Sequence, residues 1–163
     1  MKRRAPLAAL AISGAGLVAI AGYEGFVGQA YRDIVGVWTI GFGTTKGVKP
    51  GDTITPVKAL ERKGEDLRKF HKEISSCVKV PLTQNEYDAY MSLSYNIGPT
   101  AFCGSTLVKK LNAKDYEGAC KEILRWNRAG GKVVRGLVIR RESEYRLCID
   151  GGNNDEPLAP VAD

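Results

Sequence analysis

Histidine occurs once in the 163 residues, the four cysteines include no C-x-x-C pair, and no formal charge stands between Ala5 and Tyr23. The first two scarcities argue against a zinc site, which draws on several Cys and His ligands at short spacings. No phosphate-binding glycine loop, dinucleotide fingerprint, Ser-His-Asp set or internal repeat is present, so nucleotide chemistry and triad hydrolysis lack their usual signatures. At 44% apolar residues the chain has enough core material to exclude disorder, and 163 residues are too few for a large multidomain enzyme. His71 lies between Phe70 and Lys72 on a charged helical pattern and reads as a surface residue.

What the chain has in excess is positive charge, unevenly placed. Lys and Arg number 24 against 18 Asp and Glu, a formal net charge of +6. Lys2, Arg3 and Arg4 open the chain, residues 24 to 149 carry 21 basic and 14 acidic side chains, and the stretch from Asp150 onward is acidic only. A positive body attracts polyanions such as nucleic acid, acidic lipid headgroups or anionic cell-wall polymers, and does not choose among them.

The uncharged stretch from Ala5 to Tyr23 covers 19 residues directly after the basic cluster. That length crosses a bilayer core of about 30 Å as a helix. The positive-inside rule keeps the basic end in the cytoplasm and places everything after Tyr23 outside, in a periplasm if the cell is Gram-negative. Eleven of the nineteen residues are Ala, Gly or Ser, so insertion is marginal. Three readings compete: a signal peptide cut after Ala19-Ile20-Ala21, a buried or amphipathic helix, and an uncleaved anchor weak enough to leave the membrane.

Cys77, Cys103, Cys120 and Cys148 are an even set in a chain that reads as exported, which points to disulfides. Three pairings are open, and so is a set of four free thiols. The order of the helical patterns favours 77 with 103 and 120 with 148. No Cys falls within residues 5 to 23, so a thiol in the anchor is not a switch here.

Val37-Trp38-Thr39-Ile40-Gly41-Phe42-Gly43 reads as part of a small antiparallel sheet with tight turns. Thr55-Pro56 opens a helix to about residue 77, with Leu60, Leu67, Phe70 and Ile74 at helical spacing and Gly64 as a point where it could bend. Thr83-x-x-Glu86 is a capping box for a helix to Asn96, closed by Gly98-Pro99 and expected to be the most buried. Further helices are predicted at about 105 to 112, 115 to 128 (ended by Gly130-Gly131) and 136 to 149 (ended by Gly151-Gly152), with a disordered tail from there.

Glu24 lies at the end of the apolar segment, Asp33 nine residues later and Thr39 six after that. Hydrolysis of a glycosidic bond needs one protonated carboxyl group for the leaving oxygen and a second, ionised one for water or the sugar cation. The first belongs in an apolar or partly buried setting and the second in a wetter one. Glu24, between Tyr23 and Phe26, suits the first role, and Asp33, beside Arg32 in a turn with Gly36 nearby, the second. Spacing alone is weak support, since Arg32 and Asp33 could be turn residues and Thr39 an ordinary strand residue.

The string Glu24-Gly25 … Tyr31-x-Asp33-x(3)-Val37-Trp38-Thr39-Ile40-Gly41-x-Gly43 resembles the active-site region of phage-type lysozymes, glycoside hydrolase family 24, the endolysins that cut bacterial peptidoglycan. The resemblance extends through most of residues 23 to 149, including Leu93-x-Tyr95-Asn96-Ile97-Gly98, Arg125-Trp126, Gly130-Gly131-Lys132 and Gly136-Leu137-x(2)-Arg140-Arg141-x(2)-Glu144. It implies an α+β lysozyme-like fold, with a small N-terminal lobe carrying a short antiparallel sheet, a larger all-helical C-terminal lobe and a cleft between. It further implies an endo-β-N-acetylmuramidase in which Glu24 is the general acid and Asp33 with Thr39 positions water, with inversion at the anomeric carbon and neither metal nor cofactor. Which of Arg135, Arg140 and Arg141 supports Glu24 stays open.

The Ala-, Gly- and Ser-rich leader also resembles that of signal-anchor-release endolysins. In the family a helix leads into the catalytic Glu, so cutting after Ala21 would leave Glu24 on a loose end; this favours the uncleaved anchor. The expected organisation is a signal-anchor-release segment at 1-23, a lysozyme domain at 24-150 and a tail at 151-163. The resemblance implies a tethered protein in the host inner membrane, with a cytoplasmic N-terminus, that becomes periplasmic on release. Its partners would be peptidoglycan, the membrane through residues 5-23 and a holin-type depolarising protein, with no nucleic acid, and the chain would be a monomer. A non-catalytic peptidoglycan-binding or membrane-associated module is one rival reading. An inhibitor or nucleic-acid binder is the other.

Overall fold

The structure, a computed structural model, describes residues 3–150. The expected tail at 151-163 and the Gly151-Gly152 stop lie outside the described residues. Element order is a 3-10 turn at Leu7–Ala9, helix α1 (Gly14–Glu24), strands β1 (Val27–Arg32) and β2 (Trp38–Gly41), then α2 (Pro56–Ser75), α3 (Gln84–Ile97), α4 (Pro99–Cys103), α5 (Thr106–Asn112) and α6 (Tyr116–Glu122). A 3-10 turn at Ile123–Arg125, the short hairpin β3 (Arg128–Ala129) and β4 (Lys132–Val133), and α7 (Arg135–Asp150) complete the chain. A small antiparallel sheet precedes a mostly helical body, and the long α2 runs from one to the other.

The centre of the helical body is α3. Thr83 and Glu86 form the capping box at its start, and Tyr87, Ala89, Tyr90, Met91 and Leu93 are all buried. Around them pack Leu67 and Ile74 of α2, Phe102 of α4, Leu107 and Leu111 of α5, Ala119 of α6 and Cys148 of α7. Two disulfides staple this body, Cys77–Cys103 and Cys120–Cys148, with sequence separations of 26 and 28. Closing loops of that size stabilises a fold by about 3 to 4 kcal/mol each in the chain-entropy account.

Three sequence expectations are corrected. The helix expected over 115 to 128 stops at Glu122, because Gly130 and Gly131 both take positive φ (55° and 78°) and turn a hairpin instead of ending a helix. Pro99 begins a short helix rather than merely closing the one before it, as a first-turn Pro does. His71 is half-buried, and its Nδ1 lies 2.8 Å from the Tyr87 hydroxyl.

Residues 5–23 do not form one helix here. Ser13 caps α1 by accepting from the Gly16 N–H, so the chain before it stays extended or 3-10. No described helix is long and apolar enough to cross a membrane. Instead the segment is strapped to the start of α3. Arg4 makes two hydrogen bonds to the buried Glu86 carboxylate (3.0 and 2.7 Å) and stacks on Tyr116, while Ala5 and Leu82 exchange backbone hydrogen bonds. The Ser13 hydroxyl and N–H both donate to Asp88, and Gln84 donates to Asp88 and to the Ala11 carbonyl. Leu7, Ile20 and Ala21 enter the core, and Gly16 comes so close to α3 that a Cβ there would lie 2.9 Å from the Asp88 carboxyl carbon.

Burial pushes the Asp88 carboxyl above its ordinary value, and the hydrogen bonds from Ser13 and Gln84 offset this only in part. A group raised on folding favours the fold while it is protonated and withdraws that support as pH rises through its folded value. Asp88→Asn removes this dependence. The melting temperature of the variant relative to the parent is expected to increase as pH is raised from the ordinary carboxylate range to neutrality, which thermal unfolding at several pH values measures.

Candidate active site

Glu24 is the last residue of α1, so its position is fixed by whatever fixes that helix. On one side Tyr23 lies under the Arg140 guanidinium, 4.4 Å from ring centroid to Cζ, which ties the helix end to α7. On the other, Gly25 takes φ +70° to end the helix, and the Phe26 ring packs against Phe42 with centroids 5.3 Å apart. The chain is therefore held immediately before and after Glu24. Glu24 itself is exposed and takes no hydrogen bond among the described residues. That differs from the partly buried setting expected for a proton donor, because Tyr23 and Phe26 turn to α7 and to the sheet instead of folding over the carboxyl group.

Asp33 begins the turn between β1 and β2, which pair antiparallel with Tyr31 opposite Thr39 and Arg32 opposite Trp38. Its Oδ1 accepts from the N–H groups of Val35 (3.0 Å) and Val37 (2.8 Å), and Gly36 supplies the positive φ (83°) that the tight turn requires. One carboxylate oxygen thus braces the loop, while Oδ2 has no hydrogen bond among the described residues. Arg32 does not pair with Asp33; its guanidinium lies over Trp38 at 5.2 Å. Asp33 is half-buried, so of the two acids it is the more enclosed, the reverse of the expected order.

Thr39 is buried at 4% exposure, and its hydroxyl donates to the Val37 carbonyl (3.1 Å). The same carbonyl accepts from the Asp33 N–H at 3.0 Å. Asp33 and Thr39 are consequently locked to one another through a single backbone oxygen. Beyond β2, Gly43 with φ +82° brings the chain back beside Glu24: a Cβ built there would lie 3.5 Å from Glu24 Oε2 and 3.8 Å from Lys63 Nζ.

None of the three arginines considered from sequence contacts Glu24 in the described structure. Arg140 bonds Glu144 and the Ser92 carbonyl, Arg141 bonds Asn96 and lies 3.0 Å from Glu144, and Arg135 is exposed at the start of α7. The cation near Glu24 is Lys63, a residue that no sequence motif names. It is fully buried and donates to the Tyr95 hydroxyl at 2.6 Å. The signal was available, since Ala59, Lys63, Leu67 and Ile74 form the buried stripe of α2, and a lysine in an apolar stripe stands out. A separate hollow of about 300 Å³ between β2, the 52–54 loop and the start of α2 includes none of Glu24, Asp33 and Thr39.

The structure supplies a test of the local frame. Gly43→Ala places a methyl group within 4 Å of both the Glu24 carboxyl and the Lys63 ammonium at a backbone angle that L side chains rarely adopt, and is expected to destabilise the fold by about 1 to 2 kcal/mol. Its effect on activity should exceed what that loss of folded protein explains, when rates are normalised to the folded fraction by circular dichroism.

The phage lysozyme family model matches residues 21–144. The chain is 46% identical over 140 residues to an endolysin of Acyrthosiphon pisum secondary endosymbiont phage 1, spanning 83% of this chain and 96% of that one. It is 42% identical over 147 residues to the SAR-endolysin of Pseudomonas phage phiKMV, with 88% and 89% covered. Among solved structures, a mutant of P22 lysozyme superposes with a TM-score of 0.80 at 42% identity, covering 86% of this chain and 99% of the other. With its small antiparallel sheet, helical body and matching sequence from α1 to α7, this chain belongs to the phage lysozyme family.

Proposed function

We propose that this chain is an endolysin that hydrolyses the β-1,4 bond between N-acetylmuramic acid and N-acetylglucosamine in bacterial peptidoglycan, and that it is held inactive in the host inner membrane until residues 5–23 leave the bilayer. The observation that carries the reading is that Glu24 terminates a helix made from those leader residues, so the acid is seated only when the leader is docked.

Glu24 donates its proton to the glycosidic oxygen. A saccharide lying across α1 and the β1–β2 hairpin would cover the exposed carboxyl and strip away its water. Because the Thr39 hydroxyl proton is committed to the Val37 carbonyl, the hydroxyl presents lone pairs, and Asp33 Oδ2 is a second acceptor nearby. A water donating to both would turn its own lone pair toward the anomeric carbon. Asp33 then takes the water's proton as the bond forms, and attack on the face opposite the leaving oxygen gives inversion, which calls for carboxyl groups roughly 6.5 to 9.5 Å apart. The positive body holds the protein on anionic wall polymers.

In the tethered form, residues 5–23 span the bilayer, Arg4 is on the far side from Glu86, and Ser13 is parted from Asp88. Insertion is weak because small residues bury little area at about 25 cal/mol per Å². Withdrawal of each N-terminal charge is opposed by about 2.3 kcal/mol per 100 mV. A holin-type collapse of the potential removes that opposition, and the leader docks on α3. The name of the phiKMV relative supports the same course.

Two outcomes follow. Glu24→Gln is expected to release no new reducing ends from purified peptidoglycan while its circular dichroism matches the parent; sugar release at the parent's rate would exclude Glu24 as the acid and leave a binding module as the better description. Ala8, Ala11 and Ala15 are exposed in the docked form, so changing all three to Leu deepens insertion without disturbing the fold. That variant should remain in the membrane fraction after depolarisation under conditions that release the parent, as immunoblotting of fractions would show.

A further inference from the structure

A lysine with no exposed surface is rare in a small domain, since its charge loses water and needs compensation. Lys63 is such a residue, and its surroundings are not those of a structural ion pair. Among the described residues its hydrogen-bond partner is a neutral phenol, Tyr95 Oη at 2.6 Å, and its ammonium also lies 4.3 Å from the centroid of the same ring. Phe70 packs on the other part of Tyr95 at 4.8 Å and fixes the ring. Burial pushes the Tyr95 hydroxyl up to about 12, so it stays protonated and accepts from Lys63 with a lone pair. The charged groups facing Lys63 are Glu24 at the end of α1, Asp66 on α2 itself and Arg140 on α7. Asp66 is bonded by Thr44 and Lys69, and Arg140 by Glu144, which leaves Glu24, among the described residues, as the carboxylate without another partner. Gly43 lies beside both groups: a Cβ built there would be 3.5 Å from Glu24 Oε2 and 3.8 Å from Lys63 Nζ.

We propose that Lys63 is a positioning residue for the acid: a buried cation, held by Tyr95, that lies with the Glu24 carboxyl beside Gly43 and stabilises it in its ionised form after it has given up its proton. The inference rests on Glu24 being the proton donor. Burial lowers the lysine below its ordinary value, and Glu24 and Asp66 oppose that shift. A cation behind a general acid makes the proton easier to give and narrows the pH range over which the acid form persists.

The test is the pH dependence of kcat/KM for peptidoglycan hydrolysis by the released full-length protein, in which the alkaline limb reports loss of the Glu24 proton. Lys63→Met keeps the length of the side chain and removes its charge. The alkaline limb is expected to move to higher pH, because removing the nearby positive charge favours the protonated carboxyl. kcat at the optimum should fall while KM stays near the parent's, and the melting temperature should hold or rise. Tyr95→Phe, which keeps the ring and removes only the hydroxyl, weakens the hold on the ammonium and should move the limb in the same direction by less. It also carries the test if Lys63→Met does not fold. Limbs that superimpose on the parent's in the folded variants would overturn the proposal and leave Lys63 as a packing residue. Glu24→Gln assayed alongside separates the two claims: residual hydrolysis there removes the reading beneath, whereas an inactive Glu24→Gln with unmoved limbs removes Lys63 alone.

Discussion

The seating of α1 is the constraint on which the rest of this structure depends. A carboxyl group at the end of a helix is placed only as well as the helix is held, and α1 is an eleven-residue segment too short to be stable alone in water. Its support is entirely tertiary: the Ser13 cap bound to Asp88, Ile20 and Ala21 in the core, and Tyr23 against Arg140. The strands on the other side of the site are self-sufficient by comparison, since the Asp33 turn and the Val37 carbonyl hold that half together within one hairpin. One half of the site is built locally, and the other is assembled from a distant piece of chain.

The small residues of that piece let α1 approach α3 closely, most plainly at Gly16 beside Asp88. Arg4 serves the same assembly: it bonds the Glu86 carboxylate, which also closes the Thr83 capping box. Glu86 and Asp88 are buried by the docked segment, so the polar straps also satisfy groups that would otherwise be left in a dry interface.

Much of the fold was legible because local signals and packing agree. The Thr83-x-x-Glu86 box, the Thr55-Pro56 start of α2 and the glycine-rich strand around Thr39 each act over a few residues, and the structure contains all three elements. Where one signal has two uses, the reading went astray. Gly130-Gly131 can stop a helix or turn a hairpin, and only the pairing of Arg128 with Val133 decides between them. Ser13-Gly14 is a helix start hidden in a stretch whose lack of charge suggested one continuous span. At the site, the motif names Glu24, Asp33 and Thr39, but exposure depends on where neighbouring rings turn, which no spacing encodes. Lys63 carries no motif in an α2 rich in lysines, and only its place in the Ala59–Leu67–Ile74 stripe sets it apart.

If the leader is part of the working enzyme, the lytically active molecule must still contain it. The most direct measurement is the intact mass of the active species recovered from the host periplasm after lysis is triggered. The account predicts a mass that retains residues 5–23, in the fraction that hydrolyses peptidoglycan. An active species that begins after Ala21, with full specific activity, would contradict it.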